Sequence, residues 1–283
     1  MTGGLRYLRV ARRAGVAGVF AAGVFACSTS IISAAEPSPR ATCHAPADLI
    51  RLVYPLTRTA QRLAAGAPVT IVAIGSSSTA GAGASSPDKS YPSRLAMELK
   101  QRFPRSRITV INRGTNGEEV RDMLARFQTS VIAEKPDLVL WQVGTNAVLR
   151  DDPLAPAGTL IQDGVKQIKA IGADVVLMDP QFAPRVIDKP EIEGMLNLMS
   201  AAAKDASVDL FPRFAIMRIW HDVDSMPFNV FVSPDGLHMN DWGYACVATL
   251  LGSAIAEAST RSATSVQVTS GAHLLPSAAA ATH

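Results

Sequence analysis

Val69-Thr70-Ile71-Val72-Ala73-Ile74-Gly75-Ser76-Ser77 is a nearly continuous apolar run that stops at a glycine and opens into serines. A strand with one wet face alternates apolar and polar residues. A strand covered on both faces is apolar throughout, which is the habit of parallel sheets sandwiched by helices. The rest of the chain extends the pattern in both chemistry and spacing. After Tyr91-Pro92 comes a helix with Leu95, Leu99 and Phe103 on one face, closed by Pro104. Residues 108–111 read as a second strand, followed by the polar loop 112–117. Glu118 and Glu119 then open a helix at the end where acids suit the helix dipole.

Pro136 precedes a third strand, 137–143, which runs into Gly144-Thr145-Asn146. Further helices are expected over 157–171, 191–206, 214–220 and 241–257, with a fourth strand at 173–178 and a fifth at 208–210. Strand–helix alternation of this kind predicts a three-layer α/β/α domain on a five-stranded, mainly parallel sheet. In such sheets, sites form beyond the carboxyl ends of the strands. The loops after strands one, two and three should therefore share a crevice. They contain Ser77, Gly114 and Asn146.

The ends of the chain carry other instructions. Arg6, Arg9, Arg12 and Arg13 precede an apolar run over 14–32, and Ser33-Ala34-Ala35 offers a small-residue cleavage site. This is the layout of a secretory signal peptide covering residues 1–35. Gly15, Gly18 and Gly23 dilute the run, so it falls short of an unbroken membrane span of about 20 apolar residues. Val24-Phe25-Ala26-Cys27 is an alternative processing site of lipobox type, which would leave a lipid anchor on Cys27. Both routes predict export, to the periplasm, the medium or an envelope membrane. Residues 36–66 form an N-terminal segment, 67–257 the domain, and 258–283 a flexible tail rich in Ser, Thr and Ala.

The formal charge of the 283-residue chain is +3; removing the four leader arginines leaves −1. The basic balance thus belongs to the leader, and nucleic-acid binding loses its electrostatic basis. Loss of the leader also leaves two cysteines, Cys43 and Cys246. An oxidising compartment would allow them to pair, and two buried thiols are the alternative. Neither a metal nor a nucleotide motif is present: HExxH, a P-loop lysine and a Cys/His cluster are all missing, so no cofactor is expected. Oligomeric state is not legible.

Near the end stands Asp235-Gly236-Leu237-His238. An acid three residues before a histidine can hold one imidazole nitrogen while the other faces a nucleophile. The spacing alone also fits a helix-start acid followed by a surface histidine. Of the five histidines, His273 and His283 lie in the tail, and neither His44 nor His221 has an acid at this spacing. Serine-based ester hydrolysis needs a hydroxyl, a base, an orienter and donors for the oxyanion. Ser77, His238 and Asp235 supply the first three. Gly114, through its N–H, and Asn146, through its amide, are placed to supply donors.

With these residues assembled, the chain resembles the SGNH hydrolases, the GDSL esterase/lipase family. Gly75-Ser76-Ser77-Ser78-Thr79, Asn112-Arg113-Gly114-Thr115-Asn116-Gly117, Gly144-Thr145-Asn146 and Asp235-Gly236-Leu237-His238 match its four blocks in order. The resemblance implies a flavodoxin-like fold, Ser77 as nucleophile, His238 as base and Asp235 as orienter. The oxyanion donors would be the N–H groups of Ser77 and Gly114 and the Asn146 side chain. Two positions depart from the family pattern, where Asp is usual: Ser76 and Ala147. The implied activity is hydrolysis of short acyl or acetyl esters, on small molecules or polysaccharides. An inactive carbohydrate-binding envelope protein and an acyltransferase are the alternatives. Arg113, Phe182 and Phe231 are candidates for substrate contact, with 181–185 and 226–231 as the surrounding wall; packing of these loops against the core is the preferred reading of the aromatics, and an exposed salt bridge suits Arg113 equally well. The stretch 81–86 begins like a dinucleotide fingerprint but lacks its third glycine, and reads as a mobile loop.

Overall fold

Five strands follow the alternation: β1 (Val69–Gly75), β2 (Ile108–Gly114), β3 (Leu138–Gln142), β4 (Asp174–Met178) and β5 (Asp209–Phe211). Every pairing is parallel, and the order across the sheet is β2-β1-β3-β4-β5. This is the flavodoxin-like order, whose switch point lies between β1 and β3. The computed structural model describes residues 42–271, with side-chain surroundings for 42–261. The expected leader of residues 1–35, with Cys27, lies outside the described residues, as does the tail beyond 271.

Burial follows position in the sheet. All of β3 and all but Thr70 of β1 are buried, as their unbroken apolar runs require, whereas edge strand β2 is half-exposed. The helix Tyr91–Arg102 packs with the last helix, Asp241–Gly271, while Val120–Ala125, Ala155–Ala170 and Ile192–Asp205 pack together as the other layer. Right-handed crossovers from the β1–β3 switch point put these two groups on opposite faces. Pro92 and Pro156 each sit in a first helical turn, where a missing N–H costs nothing. Among the described residues, no helix is long and apolar enough to cross a membrane.

Three differences from the sequence reading concern boundaries. Strand β2 runs on to Gly114, pairing Gly75 with Gly114, where a loop was expected from Asn112. The last helix continues past Glu257; Ala258 and Ser259 are buried, and Arg261 reaches the Leu52 carbonyl at 2.5 Å. Small residues had suggested a tail from 258 on, but Ala258 and Ser259 are small enough to pack closely against the domain. Residues 42–66 are also stitched onto the domain. At the amino ends of β3, β4 and β5, Asp137 accepts from Arg58 Nε (2.8 Å), Asp174 from Thr59 N (2.8 Å) and Asp209 from Val53 N (2.6 Å). A disulfide joins Cys43 to Cys246 across a sequence separation of 203.

Candidate active site

At the carboxyl end of β1 the chain turns directly into a one-turn helix, Ser77–Ala80, with Ser77 as its first residue. Such a start leaves the Ser77 amide outside the helical ladder. Ser76, where carboxylates are usual in similar chains, sends both its N–H (3.0 Å) and its hydroxyl (3.1 Å) to Gln142 Oε1 at the end of β3. A neutral serine and a glutamine thus hold the nucleophile turn against the sheet without a buried charge.

His238 arrives from the far end of the sequence. Ser77 Oγ lies 2.8 Å from His238 Nε2, and His238 Nδ1 lies 2.5 Å from Asp235 Oδ2. The other carboxylate oxygen of Asp235 accepts from Ser233 Oγ (2.6 Å), Leu237 N (2.9 Å) and His238 N (2.9 Å). Partial burial pushes the Asp235 pKa up, but these hydrogen bonds and that from His238 outweigh it and hold the carboxyl well below the usual carboxylate range. An Asp235 ionised at neutral pH fixes the imidazole with Nδ1 protonated and Nε2 free to accept a proton from the Ser77 hydroxyl. The compact D-x-x-H turn brings the expected three side chains together in one line.

Gly83, in the stretch read as mobile, is packed against His238. A Cβ placed there would lie 2.7 Å from His238 Cβ and 2.6 Å from the Met239 carbonyl. Tyr244, from the last helix, ties the same loop down through a 2.7 Å bond from its hydroxyl to the Ala82 carbonyl. The other histidines have separate partners: His44 Nε2 meets Asp224 at 3.0 Å, and His221 stacks on Phe228 beside Asp222.

The oxyanion side differs from expectation at Gly114. Its N–H donates to Asn112 Oδ1 at 2.9 Å, so it is already engaged within the strand end. Its missing side chain serves a close approach, since a Cβ there would fall 2.1 Å from the Ala80 amide nitrogen. Asn146 Nδ2 donates to the Glu118 carbonyl at 2.8 Å, which occupies one of its two hydrogens and links the turn after β3 to the loop after β2. The Glu118 carboxylate is in turn gripped by Arg126 Nε at 2.8 Å, and Arg126 also holds the Arg113 carbonyl. Arg150 binds the Gly117 carbonyl at 2.7 Å and pairs with Glu119.

The three candidate substrate contacts are otherwise employed. Arg113 is ion-paired with Glu134. Phe182 is 7% exposed and packs edge-on to Phe214; Phe231 is fully buried against Trp220. Aromatics near a site are also good core residues, and here the core took them. Sequence reasoning did not single out Gln142 or Arg213 as parts of this region, because a buried polar residue inside an apolar run announces itself only when its partners are known. Among the described residues, no group of three or more His, Cys, Asp or Glu side chains is arranged to hold a metal ion.

The family model for non-GDSL lipase-like proteins matches residues 42–261. The chain belongs to the non-GDSL lipase-like family. Membership is consistent with the resemblance to SGNH hydrolases carried by the four blocks. An arylesterase from Vibrio mimicus is 29% identical over 159 residues, which is 53% of this chain and 70% of that protein. An acetylxylan esterase from Geobacillus stearothermophilus is 44% identical over 52 residues, spanning only 24% of its length. Among solved structures, a two-domain esterase active on acetylated mannans aligns with a TM-score of 0.62 at 21% identity, covering 75% of this chain and 56% of that one. An acetylxylan esterase from G. stearothermophilus aligns with a TM-score of 0.57 at 21% identity, over 66% and 94% of the two chains. At these identities the structural matches show a shared fold.

Proposed function

We propose that this protein is an exported serine esterase that removes acetyl or other short acyl groups from carbohydrate esters through a Ser77 acyl-enzyme. One observation carries the reading: the unbroken line Asp235–His238–Ser77, with contacts of 2.5 Å and 2.8 Å, at the switch point of the sheet. His238 Nε2 takes the Ser77 proton as Oγ attacks the ester carbonyl, then returns it to the leaving alcohol. Water, deprotonated by the same nitrogen, attacks the acyl-enzyme and releases the acid, restoring Ser77.

The oxyanion would meet the Ser77 N–H and the second hydrogen on Asn146 Nδ2. Since the Gly114 amide is engaged, the backbone donor from the second block falls to the loop that Asn146 touches. Gly117, beside Glu118 and with φ of 78°, is the candidate. A short acyl group is favoured because Phe182 and Phe231, the two aromatics considered for an acyl wall, are buried in the core. The carbohydrate alcohol is suggested by the acetylxylan and acetylated-mannan esterases to which the chain is similar. Export is supported by the arginine-led apolar leader and by the Cys43–Cys246 disulfide, a bond that oxidising compartments maintain.

The test is a panel of 4-nitrophenyl esters of increasing acyl length, together with acetylated xylan and mannan, on wild type and Ser77→Ala. Acetyl esters should be preferred, and Ser77→Ala should lose essentially all turnover. A fluorophosphonate should label the wild type and not the variant. Full activity in Ser77→Ala would end the assignment, and a preference for long acyl chains would end the substrate part of it.

A further inference from the structure

The reaction needs three turns from three parts of the chain to hold station: the nucleophile turn after β1, the oxyanion turn after β3, and the base loop before the last helix. One buried side chain touches all three. Gln181, in the loop after β4, is 1% exposed. Its Oε1 accepts from Ser78 Oγ at 3.3 Å and from Thr145 Oγ1 at 3.2 Å, and its Nε2 donates to the Leu237 carbonyl at 3.0 Å. Ser78, Thr145 and Leu237 are the immediate neighbours of Ser77, Asn146 and His238.

The orientation of the amide is not arbitrary. Arg213 Nη2, which can only donate, lies 2.9 Å from Oε1, while the Leu237 carbonyl, which can only accept, faces Nε2. Reversing the amide would break both contacts. Arg213 is itself immobilised: it is fully buried, with Nε and Nη2 on the Asp179 carbonyl at 3.0 Å and 2.7 Å. The Asp179 carboxylate takes the Phe214 N–H at 2.9 Å. Burial pushes Asp179 up to about 7, with the Phe214 N–H and Arg213 acting against it, and burial pushes Arg213 down. A buried cation is costly to leave unpaired, so the guanidinium is held to its acceptors, of which Gln181 Oε1 is one. Three donors share that oxygen, which makes the individual contacts to the hydroxyls long but leaves each turn few alternative positions.

We infer that Gln181, oriented by Arg213, is a positioning residue that fixes the nucleophile, oxyanion and base turns relative to one another. The inference rests on the Ser77 esterase reading. It does not place Gln181 in contact with substrate; its effect is on geometry, and a misplacement of about 1 Å can cost roughly 10²-fold in rate.

The test compares steady-state hydrolysis of 4-nitrophenyl acetate by the purified protein and its variants. Gln181→Met keeps the volume and removes both polar functions; kcat should fall roughly 10²-fold while KM stays within about threefold. Gln181→Glu keeps the shared acceptor for Ser78, Thr145 and Arg213 but, when ionised, loses the donor to the Leu237 carbonyl, so it should recover only the part of the loss that comes from the nucleophile and oxyanion turns. Combined with Asn146→Ala, Gln181→Met should cost much less than it does alone, because both act on the oxyanion turn. Should Gln181→Met fail to fold, Ser78→Ala and Thr145→Val each remove one spoke and should each lower kcat several-fold. Wild-type kcat in folded Gln181→Met or in both spoke variants, no recovery in Gln181→Glu, or full additivity with Asn146→Ala would overturn the inference. Ser77→Ala is run alongside. If it is inactive while the Gln181 variants match wild type, the esterase reading stands and only the positioning role fails; if it is active, both fall.

Discussion

Asp235 combines two tasks in one carboxylate. One oxygen holds the His238 ring, and the other gathers three donors from its own turn. These donors favour the ionised form more than burial opposes it, so the folded-state pKa lies below the ordinary 3.8. The linkage sign follows: the unfolded chain takes up the proton more readily, so Asp235 stabilises the fold above the unfolded pKa and that contribution is lost as pH falls through the folded one. Asp235→Asn should therefore lower Tm relative to wild type at about pH 5–7, and the gap should shrink progressively below about pH 4. Thermal melts of both proteins across that range check it. A gap that widens in acid would contradict the assignment. The carboxylate is 41% exposed, so solvent screening keeps the effect modest.

At the scale of elements, the site is made where loops press against each other, and Gly83 is such a point. The serine loop and the His238 loop approach so closely there that a methyl group would meet both His238 Cβ and the Met239 main chain. With φ of 85°, the position also disfavours any other L-residue. Gly83→Ala should cost about 1–3 kcal/mol of stability and lower kcat roughly 10²-fold by displacing the base. Denaturant melts and acetyl-ester kinetics measure the two parts; wild-type kcat in the variant would show that the base tolerates the shift. This contact also shows what was readable in the sequence. The strand–helix alternation and the four blocks follow from apolar runs and local spacing, and the flavodoxin-like arrangement came only with the family resemblance, so Ser77, Asn146, Asp235 and His238 could be found without coordinates. Gly81–Gly83 looked mobile because glycine signals freedom in isolation and close packing only when a neighbour is known. Gly114 misled in the same way: as the last residue of β2 it makes room for Ala80, and Asn112 takes its amide. Phe182 and Phe231 were ambiguous between wall and core, and Gln181 was read only as part of that wall, because its partners Ser78, Thr145 and Leu237 lie far away in sequence.

Over the whole molecule, the catalytic line joins residues 161 positions apart, so its geometry depends on the two ends of the domain being held together. Two sets of bonds do this away from the site. Asp137, Asp174 and Asp209 pin residues 53–59 to the amino ends of the strands, and the Cys43–Cys246 disulfide ties the first described residues to the helix that follows His238. A bridge with a sequence separation of 203 removes a large share of the conformational freedom of the unfolded chain. The chain-entropy model gives about 5 kcal/mol for such a loop, and losing a native bridge commonly costs 2–5 kcal/mol. For a domain of this size that corresponds to a fall in Tm of about 5–15 °C. Cys43 is the better position for the test, since Cys246 is buried and its replacement would disturb packing as well. Cys43→Ser, and the wild type treated with a thiol reductant, should show similar losses in Tm. Neither should change kcat at temperatures where the protein is folded, because neither cysteine is a bonding partner of Ser77, His238 or Asp235. An unchanged Tm in both would mean that the aspartate contacts alone secure the N-terminal segment, and a kcat loss in the folded variant would make the bridge part of the active-site scaffold.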